Sequence, residues 1–491
     1  MKFRKSLLLA GYMFGQAVTG FAQFNQDAFK DASVQEITQR KDISQKDMES
    51  LVHYFRFKVK DEKRADELEG WLVKKNPKGP YARMMAFQYT QKGKSNADLI
   101  ERGEAFLKAF PIAEWNNNPQ GQEFIYYSTY RTLGAAYFDA KKFDKFNALA
   151  LTGNFKTENE LFRWNIMRAY VFKLVGYDSL YNIAKPHIND LVAKVKDGSY
   201  IEHGVFTAEK AQENADEQLD NELGIYIQLL NSLAKYKEAL TYYQHFSAKG
   251  AYSHAEINEL HMQQLEKVGQ VQDIQPLLEK CVKANAVTPA MFDKLKALYQ
   301  EKHKNLDGYE AYVASLRSVD EQKQLQEYAK EHFMNEEYRP FALEQAGGGM
   351  VRSSDWYDKI VVIDFWATWC KPCIAAFPGM QMLIDKYSKD SSVGVYMIGT
   401  MQYGDYKKKS EDYVKQQGFR FNLLHDAVNK ETGEQDAVFK TFVPFFKSSA
   451  IPRKLVLKDG LIRYSTEGYS GSPSKLVDEL SYVIETLKAE K

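Results

Sequence analysis

Three of the 491 residues are cysteines: Cys281, Cys370 and Cys373. Only the last two stand close together, as Trp369-Cys370-Lys371-Pro372-Cys373. Thiols two residues apart suit metal ligation, haem attachment or thiol–disulfide exchange. A zinc site built from such pairs needs a second pair, and the chain has none. Haem attachment needs histidine directly after the second cysteine, where Ile374 stands. A copper-chaperone pair with three intervening residues has a different spacing. A redox dithiol without metal or organic cofactor is the reading that fits. Cys281 lies in the apolar stripe Ile274, Leu277, Leu278, Cys281, Val282, spaced for one helix face. It reads as a buried, structural thiol, since free cysteine packs like a small hydrophobe.

The elements around the pair can be read from hydrophobic patterning. Ile360 to Trp366 is β-branched and apolar at almost every position, as in a strand covered on both faces. Asp364 is the one acid within it. A helix follows from Ile374. Further strands are expected at Val393–Ile398, Phe421–Leu424, Lys454–Leu457 and Leu461–Ser465, with helices near Tyr406–Gln417 and Pro473–Leu487. Asp459-Gly460 makes a two-residue hairpin turn between the last two strands. Gly347-Gly348-Gly349 breaks any helix before them. The result is a mixed α/β domain.

These landmarks resemble the thioredoxin superfamily, and within it the exported TlpA/ResA-like disulfide reductases. The resemblance covers roughly residues 339–491. Pro340-Phe341-Ala342-Leu343 is similar to the family's opening strand, and Asp364 to Cys373 to its active-site strand and loop. Pro378 is similar to its helix-kinking proline, and Ile451-Pro452 before Leu455-Val456-Leu457 to its cis-proline strand. The resemblance implies a redox disulfide between Cys370 and Cys373. Cys370, at a helix amino terminus where the dipole and free N–H groups favour a thiolate, would be the nucleophile. Lys371 adds a positive charge beside it, and Pro372 stiffens the loop. Cys373 would resolve the mixed disulfide. Asp364, buried beneath the pair, would relay a proton to or from the resolving thiol. Trp369 and Ile451 would flank the substrate, the latter through its backbone next to a cis Pro452. Two departures stand out. Arg453-Lys454 follow the proline where small hydroxylated residues are common, and read either as cations at the mouth of the site or as a solvated pair. Gln402 stands after the Val393–Thr400 strand where the subgroup often has an acid. Lys407-Lys408-Lys409 reads as a solvated face, and His425-Asp426 as an ordinary turn after a strand.

The first 22 residues read as a secretory signal. Lys2, Arg4 and Lys5 precede an apolar run from Leu7 to Val18, and Gly20-Phe21-Ala22 offers small residues for cleavage before Gln23. The run is shorter than the ~20 apolar residues of a membrane span. An exported, soluble protein of a bacterial periplasm is expected.

Residues 23–338 show helical spacing throughout, for example Leu99, Gly103, Phe106, Leu107 and Phe110 ended by Pro111. Short turn-plus-apolar segments recur around Phe143, Tyr177, Tyr236, Val271 and Leu306. Most gaps are close to the ~34 residues of a tetratricopeptide repeat, and one is longer by about 25 residues, roughly Pro186 to Ala215. This region resembles the tetratricopeptide-like family, with Gly134, Tyr137, Ala239 and Tyr243 where its helices pack. Such arrays hold partners or present a neighbouring domain, and the sequence does not choose between the two.

Lys plus Arg number 66 against 65 Asp plus Glu, so no basic surplus exists to bind a nucleic-acid backbone. The expected fold is a helical-repeat domain (23–338) followed by an α/β thioredoxin-like domain (339–491). The expected function is an exported disulfide reductase acting on protein disulfides and re-reduced by a thiol partner. The alternative is a binding scaffold whose thioredoxin-like domain is only a platform. Lys-Pro between the cysteines does not fix the direction of electron flow.

Overall fold

The computed structural model describes residues 24–115, 124–201 and 205–490. The expected signal at 1–22 lies outside the described residues. The chain divides into two compact units, residues 1–149 and 150–491.

The first unit is helical. Its longer helices are Glu62–Lys75, Pro80–Thr90, Asn96–Ala109 and Phe124–Asp139. Gly103 lies where a Cβ would come within 3.2 Å of Leu133, so its lack of a side chain lets Asn96–Ala109 and Phe124–Asp139 pack closely.

The second unit joins a further set of helices to a sheet. The helices run from Phe155–Leu161 to Val319–Glu331, the longest being Ala208–Ser232. Helices open at Tyr177 and Tyr236, and a helical turn at Val271, three of the expected recurrence points. Both ends of the expected insertion around 186–215 are helical: Tyr177–Lys194 runs through Pro186, and Ala208–Ser232 begins within it. The whole Ile274 to Val282 stripe is buried, Cys281 included, and that thiol is free. Burial pushes Cys281 up to about 12.

The sheet has eight strands: β1 (Phe333–Glu337), β2 (Ala342–Gln345), β3 (Met350–Arg352), β4 (Ile360–Trp366), β5 (Val393–Gly399), β6 (Asn422–His425), β7 (Arg453–Lys458) and β8 (Leu461–Glu467). Their spatial order is β1-β8-β7-β4-β5-β6-β2-β3. β4, β5 and β6 pair in parallel, and the other ladders are antiparallel. The sheet therefore begins at Phe333, ahead of the expected opening segment. Within that segment only Ala342 and Leu343 are in a strand, while Phe341 packs edge-on to Trp356 and Phe442. β1 escapes hydrophobic patterning because it is half exposed and ends in two glutamates. Gly347, Gly348 and Gly349 all take positive φ between β2 and β3, a turn that side chains would strain.

Two apolar layers cover the sheet. Ile360, Val362, Trp366 and Val456 pack with Phe377, Met380 and the closing helix Pro473–Ala489 on one face. Val361, Ile363, Phe365, Leu455 and Leu457 pack with Trp356, Phe439 and Phe442 on the other. The two cysteines belong to the first layer.

Candidate functional site

β4 ends at Trp366, and the chain turns through Ala367-Thr368-Trp369 into the short helix Lys371–Ala375. Cys370 caps that helix, with the Cys373 N–H donating to its sulfur at 3.3 Å. A sulfur at this position faces the free N–H groups of the first turn, where negative charge is favoured. Cys370 and Cys373 form a disulfide. Cys370 is 4% exposed and Cys373 is wholly buried, so Cys370 is the more accessible of the two. The helix breaks at Ala376 and restarts as Phe377–Tyr387, with Pro378 in its first turn.

Around the disulfide, Trp369 is half exposed and donates its indole N–H to the Met401 carbonyl at 2.8 Å. Lys371 and Pro372 are exposed. The Lys371 ammonium lies 5.6 Å from the centre of the Phe172 ring, an exposed side chain of the helical segment. The Ile451–Pro452 peptide is cis, and the Ile451 carbonyl oxygen is 3.7 Å from Cys370 Sγ. The sequence-predicted residues at Trp369, Cys370, Lys371, Pro372, Cys373 and Ile451-Pro452 thus gather at one end of β4 and β7.

Asp364 sits below them. Along β4, Val362 and Trp366 face the layer of the cysteines, so strict alternation aims Asp364 the same way. It is fully buried, and no hydrogen bond reaches either carboxylate oxygen among the described residues. Burial pushes it up to about 6, and the nearby Lys454 ammonium limits that rise. A carboxyl poised there can give or take a proton near neutrality.

The pair Arg453-Lys454 corrects the expectation of cations at the mouth or in solvent. Both are buried, because β7 is an inner strand with neighbours on each side. Arg453 pairs with Glu467 across the β7–β8 ladder and lies 4.4 Å from the Phe446 ring centre. Lys454 is opposite Asp364 in the β4–β7 ladder, with Nζ 3.7 Å from Oδ1. Sequence reasoning missed this residue. The available signal was a lysine in phase with the inward Val456 of an apolar strand.

Gln402 is a buried brace. Its Oε1 accepts from the Thr368 N–H at 3.2 Å, and its Nε2 donates to Ser410 Oγ at 2.6 Å. It steadies the loop before Cys370 and carries no charge. Asp426 accepts from the Val438 and Phe439 N–H groups and from Thr400 Oγ1, so it anchors the helix Ala437–Phe442. His425 bonds Glu411 instead, and the two do not act as an acid–base couple. Lys407 pairs with Glu344 and Lys408 with Asp412, both on the surface. Among the described residues, no cluster of His, Cys, Asp and Glu could hold a metal ion, and no helix is long and apolar enough to cross a membrane.

Residues 334–465 match the model of the AhpC/TSA family. That segment contains β4, the dithiol, Asp364, the cis-proline and Lys454. Among known proteins, the thiol-disulfide oxidoreductase ResA of Bacillus subtilis (strain 168) is 33% identical over 86 residues, 18% of this chain and 46% of that protein. ResA of Geobacillus kaustophilus (strain HTA426) is 34% identical over 86 residues, covering 18% and 47%. The chain spans about half the length of these curated relatives. Among solved structures, a putative thiol:disulfide interchange protein DsbE from Chlorobium tepidum aligns with 31% of this chain and 96% of its own, at 21% identity and a TM-score of 0.25. The molecule is a helical amino-terminal region followed by a sheet domain, and the family match falls within the sheet domain.

Proposed function

We propose that this protein is an exported thiol–disulfide oxidoreductase that reduces protein disulfides through Cys370 and Cys373. The observation that carries the reading is the disulfide itself, its outer sulfur capping a helix beside the Ile451 carbonyl that precedes the cis-proline and its inner sulfur in the layer that Asp364 faces. In the reduced protein, the Cys370 thiolate attacks a substrate disulfide and releases one substrate thiolate. Cys373 then gives up its proton and attacks Cys370 Sγ, which releases the second substrate thiolate and restores the disulfide. Two electrons pass to the substrate, and a thiol partner must supply two in return. Trp369 and the Ile451 backbone line the entry, and Lys371 and Pro372 shape the loop. The two exchange steps on the substrate use only Cys370 and Cys373, and the thiol partner closes the cycle.

The chemistry belongs to residues 339–491, with β1 added from the segment before. Residues 23–338 would form a tetratricopeptide-like array that holds a protein partner, and residues 1–22 would direct export to the periplasm. The reading is tested by the equilibrium potential of the Cys370–Cys373 pair against glutathione. A value near the ~−270 mV of thioredoxin supports a reductase, and one near ~−120 mV makes the protein an oxidant instead. Unchanged insulin reduction by Cys370→Ser would sink the dithiol mechanism altogether.

A further inference from the structure

Lys454 is a buried ammonium in an inner strand, a position where lysine is rare unless paired. Val456 shares its side of β7 and packs in the layer of the cysteines, while Leu455 and Leu457 pack in the other. Lys454 therefore points, with its ladder partner Asp364, toward the underside of the dithiol. Nζ donates to the Gly468 carbonyl at 3.0 Å and stands 3.7 Å from Asp364 Oδ1.

Gly468 is tied on both sides. Its N–H donates to the Pro452 carbonyl at 2.9 Å. One residue thus connects the cis-proline to the ammonium beneath the disulfide. The far end of the same loop is held by the helical segment of this unit. Ala255 N–H donates to the Gly471 carbonyl at 3.1 Å, Ser472 Oγ donates to the Asn285 carbonyl at 2.7 Å, and Val287 N–H donates to Ser474 Oγ at 3.1 Å. Gly471 also leaves no space for a side chain, since a Cβ there would lie 2.8 Å from His254 Nδ1. The other ionisable groups that act in this layer are Glu479 on the closing helix, Tyr464 on β8, which bonds it at 2.8 Å, and His332 and Lys475, whose charges act on Glu479 together with that of Lys454. Lys454 is the charged group that acts on Asp364.

We propose that Lys454 is a positioning residue of the exchange reaction: held by the Gly468 carbonyl, its ammonium keeps the Asp364 carboxylate ready to take the Cys373 proton, and the helical segment secures this by clamping the loop Gly468–Ser474. The inference rests on the redox reading above. In the resolving step, the Cys373 S–H proton passes to Asp364 and the Cys373 sulfur bonds to Cys370 Sγ. The bond from Cys370 to the substrate breaks, and the substrate sulfur leaves as thiolate with the electron pair. The dithiol is oxidised and the substrate reduced. A positive charge beside Asp364 favours the ionised acceptor before transfer.

The test uses the full chain, reduced, with the Asp364 carboxyl followed through its titration by carbon NMR. That readout needs no substrate, so a failure of the redox reading is seen separately in the Cys370→Ser assay. Lys454→Met should raise the Asp364 midpoint by about one pH unit or more. It should also slow release of a peptide from its Cys370 mixed disulfide about fivefold at pH 6. Lys454→Arg should hold the midpoint, and Ser474→Ala should raise it by a smaller amount. If Lys454→Met does not fold, Lys454→Gln is read the same way. An unmoved midpoint in the uncharged variant, or a slowing that persists undiminished when Asp364→Asn is also present, overturns the role of Lys454. A midpoint unmoved by Ser474→Ala overturns the clamp.

Discussion

In the helical part of the second unit, Glu158 is fully buried with His187 Nδ1 2.9 Å from one carboxylate oxygen and Lys194 Nζ 2.6 Å from the other. Beneath the disulfide, Asp364 is buried to the same degree, yet it has only Lys454 at 3.7 Å and no hydrogen bond on either oxygen among the described residues. Lys194 also reaches Asp190 and the Leu151 carbonyl, so several elements depend on Glu158. Burial pushes Glu158 up and His187 down. A buried acid with every acceptor occupied braces a fold. One left short of donors keeps a site open for a proton, at a cost in stability.

That contrast can be broken or sharpened by substitution. On the proposed mechanism the largest effect should come from Cys373→Ser, which would leave Cys370 free to attack with no sulfur to resolve the adduct. Mixed disulfides should accumulate, visible by mass spectrometry as adducts on Cys370, and turnover should fall to background. Next, Glu158→Ala should destabilise the protein by about 1–3 kcal/mol in urea, since it leaves the buried His187 without its carboxyl partner while Lys194 keeps Asp190. A loss below about 1 kcal/mol would remove the bracing role. Asp364→Asn should do the reverse, leaving the fold intact while slowing resolution roughly 10²-fold, the lower end for a lost acid–base group.

A pH series separates the two further. Asp364 holds its proton to about pH 6 when folded, against a reference of 3.8. Between those values the unfolded chain has released the proton and the native protein has not, so stability falls as pH rises through the window. The difference in unfolding free energy between the protein and Asp364→Asn should therefore change by roughly 3 kcal/mol across it, at about 1.4 kcal/mol per pH unit. A flat difference would mean that Asp364 titrates as an ordinary surface acid. The smallest effect concerns Cys281, whose thiol should resist iodoacetamide at pH 8 in the native reduced protein while Cys370 reacts. Equal labelling would contradict its burial.

Much of this was readable in advance where the determinants are local. The Cys370–Cys373 spacing, the apolar run of β4 with one acid, the Asp459-Gly460 turn and the Ile274–Val282 stripe are all short patterns, and each lies in the structure where the pattern puts it. Lys454 was not readable, because its burial follows from a ladder partner about ninety positions earlier, and adjacent basic residues are normally solvated. The Glu158 cluster joins two helices through charged residues whose local pattern is that of an exposed face. β1 failed for the opposite reason, as a strand with almost no buried side chain.

The same β1 has a bearing on how the protein behaves in a crowded compartment. The sheet is open, and its two outermost strands are β1 and β3. β3 is only three residues long, while β1 carries Glu336 and Glu337 and breaks register with β8 between Phe333 and Glu336. Short length, charge and a bulge are the features that stop strangers from adding a strand to a sheet. Both open edges of the sheet are thereby blunted against strand addition by other chains.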